Sequence, residues 1–113
     1  MKEITAIIKP QVLGRVVKAL HELPHFPGLT LSDVHGQGRG LGAGGSFVLT
    51  EENLFFHPEK KVEIIASDDI ADSIVAIIRQ SARTGTNGDG IITVKEITRT
   101  LRIRSGEAQN GEL

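Results

Sequence analysis

Lys60-Lys61-Val62-Glu63-Ile64-Ile65-Ala66-Ser67-Asp68-Asp69-Ile70, residues 60–70, changes its period halfway along. Lys60 to Ala66 is a β-branched run of strand length. Ser67-Asp68-Asp69 then offers short oxygens for a helix N-cap and negative charge for the helix dipole. Ile70, Ile74, Ile77 and Ile78 continue as a stripe at helical spacing as far as Ala82, and Gly85 is expected to stop the helix. A fourth strand is predicted at Ile91 to Ile97.

The N-terminal half has the same grammar. Glu3 to Lys9 reads as a strand closed by Pro10, and Leu13, Val16, Val17 and Leu20 form a helical stripe that Pro24 ends. Leu29 to His35 alternates imperfectly and is a second strand. The order β-α-β-loop-β-α-β predicts an α+β, ferredoxin-like fold: an antiparallel sheet with two helices on one face. Ile4, Ala6 and Ile8 are expected to line the uncovered face, where self-association would bury them. A short strand is expected over Leu101 to Ser105, with a polar, flexible tail from about residue 106 to 113.

The 113 residues, 12.2 kDa, suffice for a single domain over 1–113. Without cysteine there are no disulfides and no thiolate sites. A net charge of -1 argues against nucleic acid as a partner. No apolar run approaches the roughly 18 residues of a membrane span, and the N-terminus lacks a signal peptide's layout, so a cytoplasmic protein without membrane insertion is expected.

Six of the thirteen glycines lie between Gly36 and Gly45. A long loop is expected over about 37–57, with residues 40–55 the most mobile because glycine raises the entropic cost of ordering. Gly40, Gly42 and Gly45 match G-x-G-x-x-G, but the following Ser46-Phe47-Val48-Leu49-Thr50 is strand-like where a dinucleotide fingerprint needs a helix. No G-K-[ST] occurs. Gly36-Gln37-Gly38-Arg39 suits either an anion nest or a hinge. Thr84-Gly85-Thr86-Asn87-Gly88-Asp89-Gly90 suits an ordinary turn first. Arg102 and Arg104, on one face of the expected last strand, suit either a polyphosphate or protection of a sheet edge. His25, His35 and His57 are weak metal candidates, since no ligand motif is completed locally. No catalytic triad or carboxylate pair is fixed by spacing, which argues against an enzyme.

Taken together, Ile7-Ile8-Lys9-Pro10, Gly36-Gln37-Gly38-Arg39, Val62-Glu63-Ile64, Asp68-Asp69-Ile70, Thr84-Gly85-x-x-Gly88-Asp89-Gly90 and Arg102-Ile103-Arg104-Ser105-Gly106-Glu107 resemble the PII signal-transduction proteins. The resemblance implies a homotrimer with ATP or ADP in the clefts between subunits. It also implies a flexible T-loop that docks on a protein target such as a membrane transporter, a channel or an enzyme. It assigns Thr30 to the adenine, Gly36, Gly38 and Arg39 to the T-loop base, and Glu63 and Ile65 to the cleft wall. Gly88, Asp89 and Gly90 would wrap phosphates and ribose, with Arg102 and Arg104 reaching in from the next subunit. The chain departs from typical members at Ile91 and Glu59, where they carry phosphate-binding lysines. Lys60 or Lys61 is the candidate replacement for the second. It departs again at Gly40, in place of a Gln that holds magnesium and 2-oxoglutarate, and at Glu52, in place of the uridylylated Tyr. The implied function is a non-enzymatic, ligand-sensing regulator, with nitrogen regulation as its family setting. The alternative is a metal-binding or metal-tolerance protein of the same fold, linked to heavy-metal efflux.

Overall fold

β1, Lys2–Ile8, alternates two sets of side chains, and the more apolar set goes inward. Ile4, Ala6 and Ile8 are fully buried. In the computed structural model, which describes residues 1–37 and 56–108, a 3-10 turn at Pro10–Val12 leads from β1 into α1, Leu13–His21. β2 is Thr30–Gly36, β3 is His57–Ala66, α2 is Asp68–Ala82 and β4 is Ile91–Glu96. The strands form one antiparallel sheet in the order β2-β3-β1-β4, the ferredoxin-like arrangement expected from the sequence.

Both helices lie on one face. Val16 and Leu20 from α1 and Ala71, Ile74, Ile78 and Ala82 from α2 pack on Ile4, Ala6, Ile8, Val62, Ile64 and Ala66. This corrects the expectation for Ile4, Ala6 and Ile8, which line the covered face and not the open one. The open face carries the other parity. Thr5 pairs with Glu63 and Thr93, and Ile7 with Lys61 and Ile91, so these residues share that face. Ile64 is 1% exposed whereas its neighbour Ile65 is 38% exposed.

Three local expectations are also corrected. β3 starts at His57, earlier than Lys60, because Gly36 and His35 of β2 pair with His57 and Pro58. Pro58 is tolerated there because β1 ends at Ile8, opposite Lys60, so β3 has a single neighbour at that point. Residues 101–105 do not form a strand. Gly106 N donates to the Arg102 carbonyl and Arg102 N to the Glu107 carbonyl, folding the segment into a turn closed by a Leu101–Ala108 bridge. With that turn, the strand alternation invoked for Arg102 and Arg104 disappears. α2 ends at Ala82, before Gly85, with Arg83 extended. Arg15 of α1 receives the helix end, its Nε donating to the Ser81 carbonyl at 2.6 Å.

Candidate functional site

One end of the sheet gathers Gly36 and the Gly88-Asp89-Gly90 turn. β1 and β2 finish there, at Ile8 and Gly36, and β3 and β4 begin there, at His57 and Ile91. The 84–90 turn closes over this end. Asp89 organises it from within: its Oδ2 accepts from Thr84 N at 2.9 Å and from Gly85 N at 3.0 Å, and its Oδ1 from the Thr84 hydroxyl. Lys9 Nζ completes the cluster 3.1 Å from Asp89 Oδ1, donating also to Thr84 Oγ1 at 3.1 Å and Thr86 Oγ1 at 2.7 Å. The Thr84 hydroxyl, the two amides and Lys9 hold the Asp89 carboxyl well below the usual carboxylate range.

Gly90 has φ 106°, and a Cβ there would fall on the Ile7 carbonyl oxygen, so the turn is seated directly on β1. Gly88, φ 84°, lies beside the Lys9 stem. The positive φ values of Gly88 and Gly90 thus let the turn fold back onto Lys9 and β1.

Across the same end, Glu59 covers Gly36: a Cβ on Gly36 would meet Glu59 Oε1 at 2.5 Å. The lysines of β3 do not offset this carboxylate. Lys60 is paired with Asp33, whose carboxyl it lowers, and Lys61 lies 3.9 Å from Glu63 Oε1. Both candidates for the absent cation thus stand beside a carboxylate. Ile91, 60% exposed, follows Gly90 on the open face.

Thr30 and Glu63 are direct partners across β2 and β3, and Ile65 faces Glu3 of β1 one step further along the open face. Arg102 and Arg104 follow β4, which leads from the turn at Ile91 to the opposite sheet end at Glu96. β4 thus leads away from Gly88–Gly90 before Arg102 and Arg104 are reached. Gly38, Arg39, Gly40, Glu52 and the 40–55 segment lie outside the described residues. Of the histidines, His25 stands in the α1–β2 connection at φ 62°. His35 pairs with Pro58 and His57 with Gly36, adjacent rungs that send the two imidazoles to opposite faces. Among the described residues no group of three His, Asp or Glu side chains could hold a metal ion.

Lys9, Thr84 and Thr86 received no role from sequence. The signal was a lysine at the end of β1, before Pro10, with a hydroxyl-rich turn to receive it. Two surface depressions lie elsewhere, on the helical side, lined by Ala76, Arg79, Gln80 and Arg83 and by Arg15, Ala19, Leu23 and Ile77 among others. Neither includes a predicted site residue. No helix among the described residues is long and apolar enough to cross a membrane.

A sequence profile described as "Nitrogen regulatory protein P-II" matches residues 1–107. "Nitrogen regulatory protein P-II 2" of Methanothermobacter thermautotrophicus is 40% identical over 108 residues, covering 96% of this chain and 93% of that protein. "Nitrogen regulatory protein P-II" of Klebsiella oxytoca and "Nitrogen regulatory protein P-II 1" of Escherichia coli K12 are each 41% identical over the full length of both chains.

Proposed function

The chain belongs to the nitrogen regulatory protein P-II family, and from that premise we propose how this signalling regulator senses its ligand. An adenine nucleotide, ATP or ADP, binds in clefts between the subunits of a homotrimer. Its occupancy sets the conformation of the 37–57 loop, and that loop controls a transporter, channel or enzyme. The protein does no chemistry on the target.

The observation that supports this reading is the direction of β4, which starts beside the 84–90 turn and leads to the opposite end of the sheet. The Gly88-Asp89-Gly90 turn and Gly36 belong to one end, while Arg102 and Arg104 follow the strand that leaves for the other. A second copy of the chain would supply Arg102 and Arg104 to a cleft built on the turn. Ile7, Ile65 and Ile91 give the open face apolar surface for that copy to bury.

Regulation then follows from differential affinity. A nucleotide that touches Gly36 favours those loop conformers that complete its site, and shifts the population by no more than the difference in affinity. Sedimentation combined with calorimetric titration tests both halves. A trimer that binds ATP or ADP at a stoichiometry of about one per chain is expected. A monomer at micromolar concentration, or a trimer that ignores every adenine nucleotide with and without 2-oxoglutarate, overturns the reading.

A further inference from the structure

We propose that Lys9 is a positioning residue of this site: its ammonium holds the 84–90 turn in binding shape through Asp89, Thr84 and Thr86, and takes no phosphate itself. The inference rests on the nucleotide reading above and adds to it the residue that shapes the site. A lysine beside such a turn is ordinarily taken for a phosphate ligand, a role that needs a free N–H. An ammonium has three N–H groups. Asp89 Oδ1 stands 3.1 Å from Lys9 Nζ, Thr84 Oγ1 3.1 Å and Thr86 Oγ1 2.7 Å, one acceptor for each. The Lys9 and Asp89 side chains are 19% and 26% exposed, and every other ion pair among the described residues has a partner more exposed than either.

The network around the ammonium is closed. The Thr84 hydroxyl donates to Asp89 Oδ1, which leaves the Thr86 hydroxyl to donate to Thr84 Oγ1 at 2.8 Å. Asp89 Oδ2 meanwhile accepts from the amides of Thr84 and Gly85. Drawing Lys9 onto a phosphate would strip three acceptors and deprive Asp89, the group that shapes the turn, of its cation. The side chain also starts from a fixed point. Lys9 is extended, at φ −65° and ψ 140°, ahead of Pro10, and its carbonyl accepts from Val12 N at 3.2 Å. Its stem runs beside Gly88, with Cε 3.7 Å from where a Cβ would stand, and Gly90 rests on the Ile7 carbonyl. One short stretch, Ile7 to Lys9, thus carries both anchor points of the turn. A turn held in one shape before the ligand arrives spares binding the cost of ordering it.

The test is calorimetric titration of the intact protein with ADP and with ATP, comparing the parent with Lys9→Met, Asp89→Asn and the double variant, each shown to be folded by circular dichroism. Lys9→Met keeps the stem and removes the ammonium. It should weaken ADP and ATP by the same factor, about tenfold, because both use the same turn. In the Asp89→Asn background the same change should cost less than about threefold, because Lys9 acts through Asp89. A direct phosphate ligand would cost as much in either background. Thr86→Val removes the shortest of the three hydrogen bonds and should weaken both nucleotides about threefold, which keeps the test available if Lys9→Met does not fold. Unchanged affinity in folded Lys9→Met or in Thr86→Val overturns the inference and leaves the nucleotide reading standing. So does a loss as large in Asp89→Asn as in the parent, or a loss for ATP more than about threefold beyond that for ADP. A parent that binds neither nucleotide overturns both.

Discussion

Lys9 Nζ and Asp89 Oδ1 lie 3.1 Å apart, joining the end of β1 to the turn that precedes β4. The pair fixes where the turn sits, and the Asp89 carboxylate fixes its shape by accepting from Thr84 and Gly85. Asp89→Asn keeps the size and loses charge and acceptor capacity. It should loosen the 84–90 segment and weaken nucleotide binding while leaving the core intact. Amide exchange will report this as lost protection at Thr84 and Gly85, without change in Ile92 to Val94.

The same carboxyl gives a pH signature. Asp89, Asp33 and Asp68 are all lowered from 3.8, by Thr84, Lys60 and the N-terminal ammonium respectively. A carboxyl lowered by folding contributes stability above its unfolded pKa, and that contribution is lost as pH falls. Stability should decline below about pH 4. Acid unfolding followed by circular dichroism should show a shallower decline in Asp89→Asn, because one of the three groups no longer titrates.

Gly90 and Gly85 both have positive φ, 106° and 86°, but only Gly90 has backbone in the way of a side chain. Gly85→Ala should cost about 1–2 kcal/mol, the strain of the left-handed conformation. Gly90→Ala adds a collision with the Ile7 carbonyl and should cost about 3 kcal/mol or more. Denaturant unfolding of the two variants checks the ranking.

Ile64 and Ile65 are sequence neighbours on opposite faces. Ile64→Ala opens a cavity beneath the helices and should cost about 2–5 kcal/mol. Ile65→Ala, at a residue 38% exposed, should barely affect the fold of the chain but weaken its self-association. Sedimentation of Ile65→Ala at falling concentration reads the second effect separately from the first.

A site shared between copies also predicts complementation. Arg102→Ala and Asp89→Ala each damage a different half, and each should reduce nucleotide affinity about tenfold or more. In trimers refolded from an equal mixture, roughly one cleft in four draws both halves from intact residues. Titration of the mixture should recover that high-affinity fraction, and its absence would place both halves on one chain.

The element order was legible because each element has its own period: β-branched runs for β1, β3 and β4, isoleucines at helical spacing for α2. The faces of β1 were legible too, but were assigned the wrong way round. Ile4, Ala6 and Ile8 are the more apolar set and take the face the helices cover, whereas Thr5 and Ile7 remain for the other. The turn at 102–107 was hidden because Leu101-Arg102-Ile103-Arg104 alternates as a strand does. The Gly106 amide, free to reach back at φ 73°, decides otherwise. For the site, motif spacing found Gly88, Asp89 and Gly90 but not their support. Lys9 is 80 residues away along the chain, and only the pairing of β1 with β4 brings it close. The commitments of Lys60 and Lys61 were equally invisible, since each depends on strand register or on side-chain reach to a particular carboxylate.

The strand order has a consequence for how this chain is born. β1 is the first strand to leave the ribosome, yet its neighbours are β3 and β4, so neither of its edges is occupied until His57–Ala66 and later Ile91–Glu96 have emerged. At ordinary elongation rates, β1 and the apolar side chains of Ile4 and Ile8 wait about 3–12 s for a partner. α1 alone can shelter them in the meantime. Nascent chains stalled short of residue 57 should therefore engage holding chaperones, and those stalled beyond residue 96, with the exit tunnel cleared, should not.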